Sequence, residues 1–168
     1  HNVDSVRRVF TLARQAGVKR GVVLGSYFAY FDRLWPEMKL SERHPYIRSR
    51  VEQARAAFDA GQNEMVISVL ELPYIFGSMP GSTPLWKPLL DYVFSPFPLF
   101  YPAGGTTCVS VRQVAQAICG AVERGEPRTC YPIGGENLTW VQLLKKFGEL
   151  GGKSKKVLTL PKWLVKLG

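Results

Sequence analysis

The sequence predicts an α/β chain, with a parallel sheet flanked by helices and then a smaller α+β lobe. Three observations carry that reading. Between residues 4 and 77 the apolar pattern runs helix, strand, helix, strand, the alternation that lays parallel strands beneath covering helices. Both strand patterns are short apolar runs rich in β-branched residues, as strands buried on both faces require. Beyond Gly77 the character changes, because Pro80, Pro84, Pro88, Pro96, Pro98 and Pro102 divide the chain into shorter elements.

Residues 4–16 place Val6, Val9, Phe10 and Ala13 at i, i+3, i+4 and i+7, with Gly17 where a helix C-cap belongs. Residues 18–25, VKRGVVLG, form the first strand, with Ser26 at its C-terminal end. Residues 27–45 read as a long aromatic connection interrupted by Pro36 and Pro45, a length that points to function. From Tyr46 the helical spacing resumes through Ile47, Val51, Ala54 and Phe58 and stops at Gly61. Residues 66–72 are the second strand, closed by Pro73 and Gly77.

The later part predicts a helix near 84–94 entered through Ser82 or Thr83, a strand at 106–111 and a helix at 112–124 with Val114, Ala117, Ile118 and Ala121 inward. A strand at 129–133, a helix at 140–150 capped by Thr139, and a strand with a Pro-initiated helix near 157–167 complete it. The domain division expected is 1–77, carrying the candidate site, and 78–168, a substrate lobe with interleaved returning elements.

Composition sets the outer bounds. Of 168 residues 46% are hydrophobic and 21% charged, the balance of a folded chain and not of a disordered one. No apolar run reaches the roughly 18 residues that a membrane helix needs, so no membrane partner is expected. The net charge of +9 raises the question of nucleic acid, but the basic residues come as scattered pairs such as Arg7-Arg8 and Lys155-Lys156, without any nucleic-acid-binding signature. They read as solvated faces together with a site for an anionic small molecule. Cys108, Cys119 and Cys130 lack a CxxC pair or neighbouring ligands, so they are expected to be reduced core thiols and no metal site is expected. The N-terminal residues show no apolar signal core, which makes a cytoplasmic location the expectation.

One constellation can carry chemistry. Tyr46 and Arg50 stand at i and i+4 of one helix and share a face beside its apolar stripe, and Ser26 ends the preceding strand. A phenol needs help to act as acid or base near neutrality, since its unperturbed pKa is about 10, and a nearby cation is the simplest help. A serine hydroxyl can orient a substrate carbonyl or hydroxyl by hydrogen bonding.

The stretches GVKRGVVLGSYFAYFD, ERHPYIRSRVEQA and VLELPYIFGSMPG, followed by VSVRQVAQAICGAVERG and YPIGGENLTWVQLLKK, resemble in order and spacing the second half of an extended short-chain dehydrogenase/reductase. This is the NAD-dependent epimerase/dehydratase family, and the likeness runs from residue 2 to about 165. It implies a partial Rossmann-like sheet with a substrate lobe, and an NAD or NADP cofactor. The substrate implied is a small carbonyl, hydroxyl or sugar-nucleotide compound. By position Tyr46 matches the family's acid/base, Ser26 its substrate-orienting hydroxyl and Asn2 its polar residue on the preceding helix, while Gly25, Arg50, Pro73, Tyr74 and Ile75 match positions that line the nicotinamide.

Three departures accompany the likeness. Arg50 stands where the family has lysine, so the charge is kept but not a group that shuttles a proton. Leu72 replaces the arginine that usually precedes Pro73. The glycine-rich strand-to-helix turn that holds the pyrophosphate is not in the sequence. The expectation is therefore the catalytic and substrate-binding half of such an enzyme, as a fragment, a split half or a truncated paralogue, working as a homodimer or with a complementing chain. The alternative is a non-catalytic binding or assembly module that associates through its helices and open sheet edge.

Overall fold

The computed structural model describes residues 2–160 and resolves two compact units. The first comprises His1–Pro73 and Val111–Ile133, the second Tyr74–Ser110 and Gly134–Gly168. The helix expected after Leu160 lies outside the described residues.

In the first unit, α1 (Asn2–Gln15), β1 (Arg20–Ser26), α2 (Tyr27–Leu34), α3 (Leu40–Arg43), α4 (Pro45–Gly61) and β2 (Val66–Leu72) follow in order. The chain returns with α6 (Val111–Arg124) and β6 (Thr129–Pro132). The sheet is all parallel in the order β1-β2-β6, with Val23 opposite Val69 and Val69 opposite Cys130. Val111–Ile133 groups with this unit because β6 completes that ladder, which gives β2 a neighbour on each edge. The sheet's other terminal strand is β1, bonded among the described residues to β2 alone.

The core explains the pattern of small and branched residues. Val23, Ala57, Met65, Ile67 and Val69 form a buried cluster, and Val6, Phe10 and Ala13 of α1 pack onto it together with Ala54 and Phe58 of α4. Gly21 lets α1 approach the sheet, since a Cβ there would meet the Phe10 ring at 2.5 Å.

The connection expected at 27–45 is instead mostly helical. α2 starts directly after Ser26, whose hydroxyl caps it, and a 3-10 turn at Pro36–Met38 and α3 follow. The aromatics of YFAYFDRL pack on one another, as Tyr27 does on Tyr30 and Phe31.

The second unit holds β3 (Tyr74–Phe76), α5 (Lys87–Phe94), β4 (Leu99–Pro102), β5 (Gly105–Ser110), β7 (Glu136–Thr139), α7 (Trp140–Leu150) and β8 (Val157–Leu160). β3 pairs parallel and β7 antiparallel with β5, while β4 pairs parallel with β8. Val93, Leu99, Leu144 and Val157 form one buried cluster and Cys108, Leu138 and Leu143 another. α5 starts at Lys87 behind Trp86 and not from Ser82 or Thr83, because Pro88 sets the first turn. Thr139 caps α7 as expected, and Gln142 closes a full capping box.

Candidate active site

Ser26 ends β1 and is buried, at 7% exposure. Its hydroxyl oxygen accepts the Phe28 backbone N–H at 3.3 Å, so the residue is both strand end and helix cap. A hydroxyl that accepts in this way still has its own proton to donate, which leaves it able to hold a ligand oxygen.

Tyr46 lies in the first turn of α4, entered through Pro45, and is 42% exposed. Phe28 meets its ring edge to face at 6.1 Å, and His44 does the same at 6.4 Å. Arg50, one turn on, holds its guanidinium 5.1 Å from the centre of the Tyr46 ring. The spacing is the one that the i, i+4 relation requires, but the guanidinium covers the ring face, a cation–π arrangement. Its Nη1 donates to the buried Gln53 at 2.9 Å, while Nε is buried with no hydrogen-bond partner among the described residues. A buried N–H left unpaired is costly.

The remaining residues singled out by resemblance fall in different places. Asn2 stands exposed at the first residue of α1, and no hydrogen bond joins it to Ser26 or Tyr46 among the described residues. Gly25 lies opposite Glu71 in the ladder, and a Cβ there would meet Val69 at 2.9 Å, so close strand packing already accounts for its glycine. Pro73 ends the first unit, while Tyr74 and Ile75 open β3 of the second, both exposed.

The sequence reading missed a charged pair. Glu71, the one charged residue of β2, is 1% exposed and accepts both arms of the Arg33 guanidinium, at 2.8 and 2.6 Å. That hydrogen-bonded carboxylate raises the Arg33 pKa further above its ordinary value. The same pair ties α2, the helix that presents Phe28 to Tyr46, to the end of β2. Cys130 shares these surroundings, and its thiol is pushed up first by burial and then by the Glu71 carboxylate. The available signal was Glu71 itself, a lone charge inside a strand buried on both faces. Among the described residues no cluster of His, Cys, Asp and Glu could hold a metal ion, and no helix is long and apolar enough to cross a membrane.

Three parallel strands with helices on the sheet, followed by a smaller mixed unit, define a Rossmann-like α/β architecture. More particularly, the fold is that of the NAD-dependent epimerase/dehydratase structures. The chain aligns with the crystal structure of gox2253 at a TM-score of 0.78 and 21% identity, covering 99% of this chain and 53% of that one. A nucleoside-diphosphate-sugar epimerase from Pseudomonas aeruginosa aligns at 0.74 and 18% identity, over 99% of this chain and 60% of that one. The dTDP-glucose 4,6-dehydratase from Bacillus anthracis, solved in complex with NAD, aligns at 0.70 and 16% identity, over 95% and 56%. The chain thus spans a little over half the length of these structures. No protein-family model matches, and no curated protein does.

Proposed function

We propose that this chain is the catalytic and substrate-binding part of an NAD- or NADP-dependent oxidoreductase, epimerase or dehydratase. Its substrate class is a small carbonyl, hydroxyl or sugar-nucleotide compound. The observation that carries the reading is the exposed Tyr46 phenol flanked by Phe28 and covered by Arg50, whose buried Nε lacks a partner. Ser26 orients the substrate oxygen and Tyr46 moves its proton, while Arg50 supplies the positive charge beside the phenol and an N–H for a ribose hydroxyl.

These residues suit the nicotinamide end of a dinucleotide, which when bound supplies the hydride. They do not suit its pyrophosphate. The β1-to-α2 junction runs Ser26, Tyr27, Phe28, with side chains where a phosphate cradle needs bare backbone. That cradle would have to come from outside residues 1–168. A second reading, as a binding or assembly module, is favoured by Val9 and Leu12 of α1, which are 60% and 54% exposed.

The test joins this chain to the part of the Bacillus anthracis dTDP-glucose 4,6-dehydratase, solved with NAD, that this chain does not cover, and follows both cofactor binding and carbonyl reduction. Tyr46→Phe is expected to lower kcat at least a hundredfold with NAD(P)H binding retained, and Ser26→Ala about tenfold. Full turnover by the Tyr46→Phe chimera would remove the assignment and favour the assembly module.

A further inference from the structure

The second unit carries an aromatic cluster that the proton-transfer residues do not use. Tyr74 meets Trp86 at 4.9 Å between ring centres and Trp140 at 5.6 Å. Tyr101 meets Trp140 at 5.5 Å, and Phe76 stacks on Trp86 at 4.6 Å. The Trp86 indole is held in place, since its Nε1 donates to the Ile75 carbonyl at 2.9 Å. Tyr74 is 37% exposed, and Trp86, Tyr101 and Trp140 are half-buried, so the rings brace one another while part of their surface faces outward. The Tyr101 phenol is pushed up by burial first and then by the Tyr74 phenol. Neither hydroxyl has a hydrogen-bond partner among the described residues.

Charge separates this unit from what a nucleotide diphosphate needs. Every arginine of the chain lies in the first unit, and residues 74–110 and 134–168 contain none. Several of the second unit's lysines are already engaged: Lys87 with Asp91, Lys146 with Glu136, Lys153 with the Phe94 carbonyl and Lys155 with the Ser95 carbonyl. The helix starts offer little more. The capping box of Thr139 and Gln142 closes the start of α7, and Pro88 removes an N–H from the start of α5. Guanidinium forks and open helix N-termini are the firmest grips on a diphosphate, and the described residues of this unit present neither.

We infer that the Tyr74, Trp86, Tyr101 and Trp140 cluster takes an uncharged, ring-bearing carbonyl or hydroxyl compound, with one of the unpartnered phenols hydrogen-bonding its oxygen, and does not take a nucleotide diphosphate. The inference rests on the reading of the second unit as the substrate lobe and narrows the class proposed above. Aromatic faces and edges bind an apolar ring by offset and edge contacts, and the phenol fixes its orientation.

The experiment follows the indole N–H resonances of the full chain by NMR during titration with 2-tetralone and, separately, with UDP-glucose. Tetralone is expected to move the Trp86 and Trp140 resonances in a saturable way and leave Trp35 unmoved, with UDP-glucose binding at least tenfold more weakly. Trp140→Ala should weaken tetralone at least tenfold, and the milder Tyr101→Phe, which keeps the ring, several-fold. Binding of UDP-glucose as tight as that of tetralone, binding of neither, or tetralone binding unchanged in Tyr101→Phe and Trp140→Phe combined, would overturn the inference. Tyr46→Phe, read for turnover in the chimera and for indole shifts in the chain, separates the two proposals. Retained turnover in that variant with the indole shifts intact would refute the catalytic reading alone, whereas lost shifts with turnover still dependent on Tyr46 would refute the ligand class alone.

Discussion

The two units solve the problem of polar groups in opposite ways. The first buries a full charge, Glu71, and neutralises it with a guanidinium that is itself half exposed. The second keeps most of its described charges at the surface and satisfies backbone groups with local caps, as Thr139 and Gln142 do at the start of α7. A buried carboxylate fixes one arrangement of the elements around it at a large cost when its partner goes, whereas a cap is a local and modest contribution. The unit that carries Ser26 and Tyr46 is therefore built around a long-range electrostatic tie, and the aromatic unit around short-range contacts.

The sharpest way to break this contrast is Arg33→Ala. It leaves Glu71 charged and buried, and the expected loss of stability is about 3 kcal/mol, read as a lower denaturant midpoint. The double variant Arg33→Ala with Glu71→Leu should recover most of it. If Arg33→Ala costs no more than an ordinary surface substitution, the tie is not what holds α2. In the second unit Thr139→Ala removes a cap and should cost about 1 kcal/mol, measured in the same denaturant series.

The smallest effect is with pH, and its sign is fixed. Burial raises the Cys108 and Cys130 thiols above the ordinary value of 9.0. Above that pH the unfolded chain gives up protons that the folded chain still holds, so stability falls as pH rises. Below it the contribution is fully present. Thermal melts between pH 8 and 10 should show the decline, and a chain with both thiols replaced by alanine should show a shallower one.

Much of the first unit was legible because its helices and strands bury one continuous face or both faces, and apolar spacing records that. α1, β1, α4 and β2 follow from Phe10, Val23, Ala57 and Ile67 taking their places in a single cluster. α2 was not legible, since its rings serve several neighbours and its only clear helix signal, the Ser26 cap, sits on a residue that also suits substrate binding. β3, β4 and β7 span only three or four residues beside prolines or polar side chains, too short for a period to show. Of the candidate site, the Tyr46 and Arg50 pairing followed from helix geometry. The Phe28 contact and the Arg33–Glu71 tie did not, because both depend on how a segment read as loop folds back.

Ser26 is the last residue of β1 and Tyr27 the first of α2, so strand passes into helix with no intervening linker. Such a joint has no slack. One residue inserted there would turn the following helix by roughly 100° about its axis, since an α-helix has 3.6 residues per turn. Phe28 would swing away from Tyr46, and Arg33 away from Glu71, in the same step. Changes of length in this lineage should therefore accumulate elsewhere, and the phase of one short helix is set by where a single strand ends.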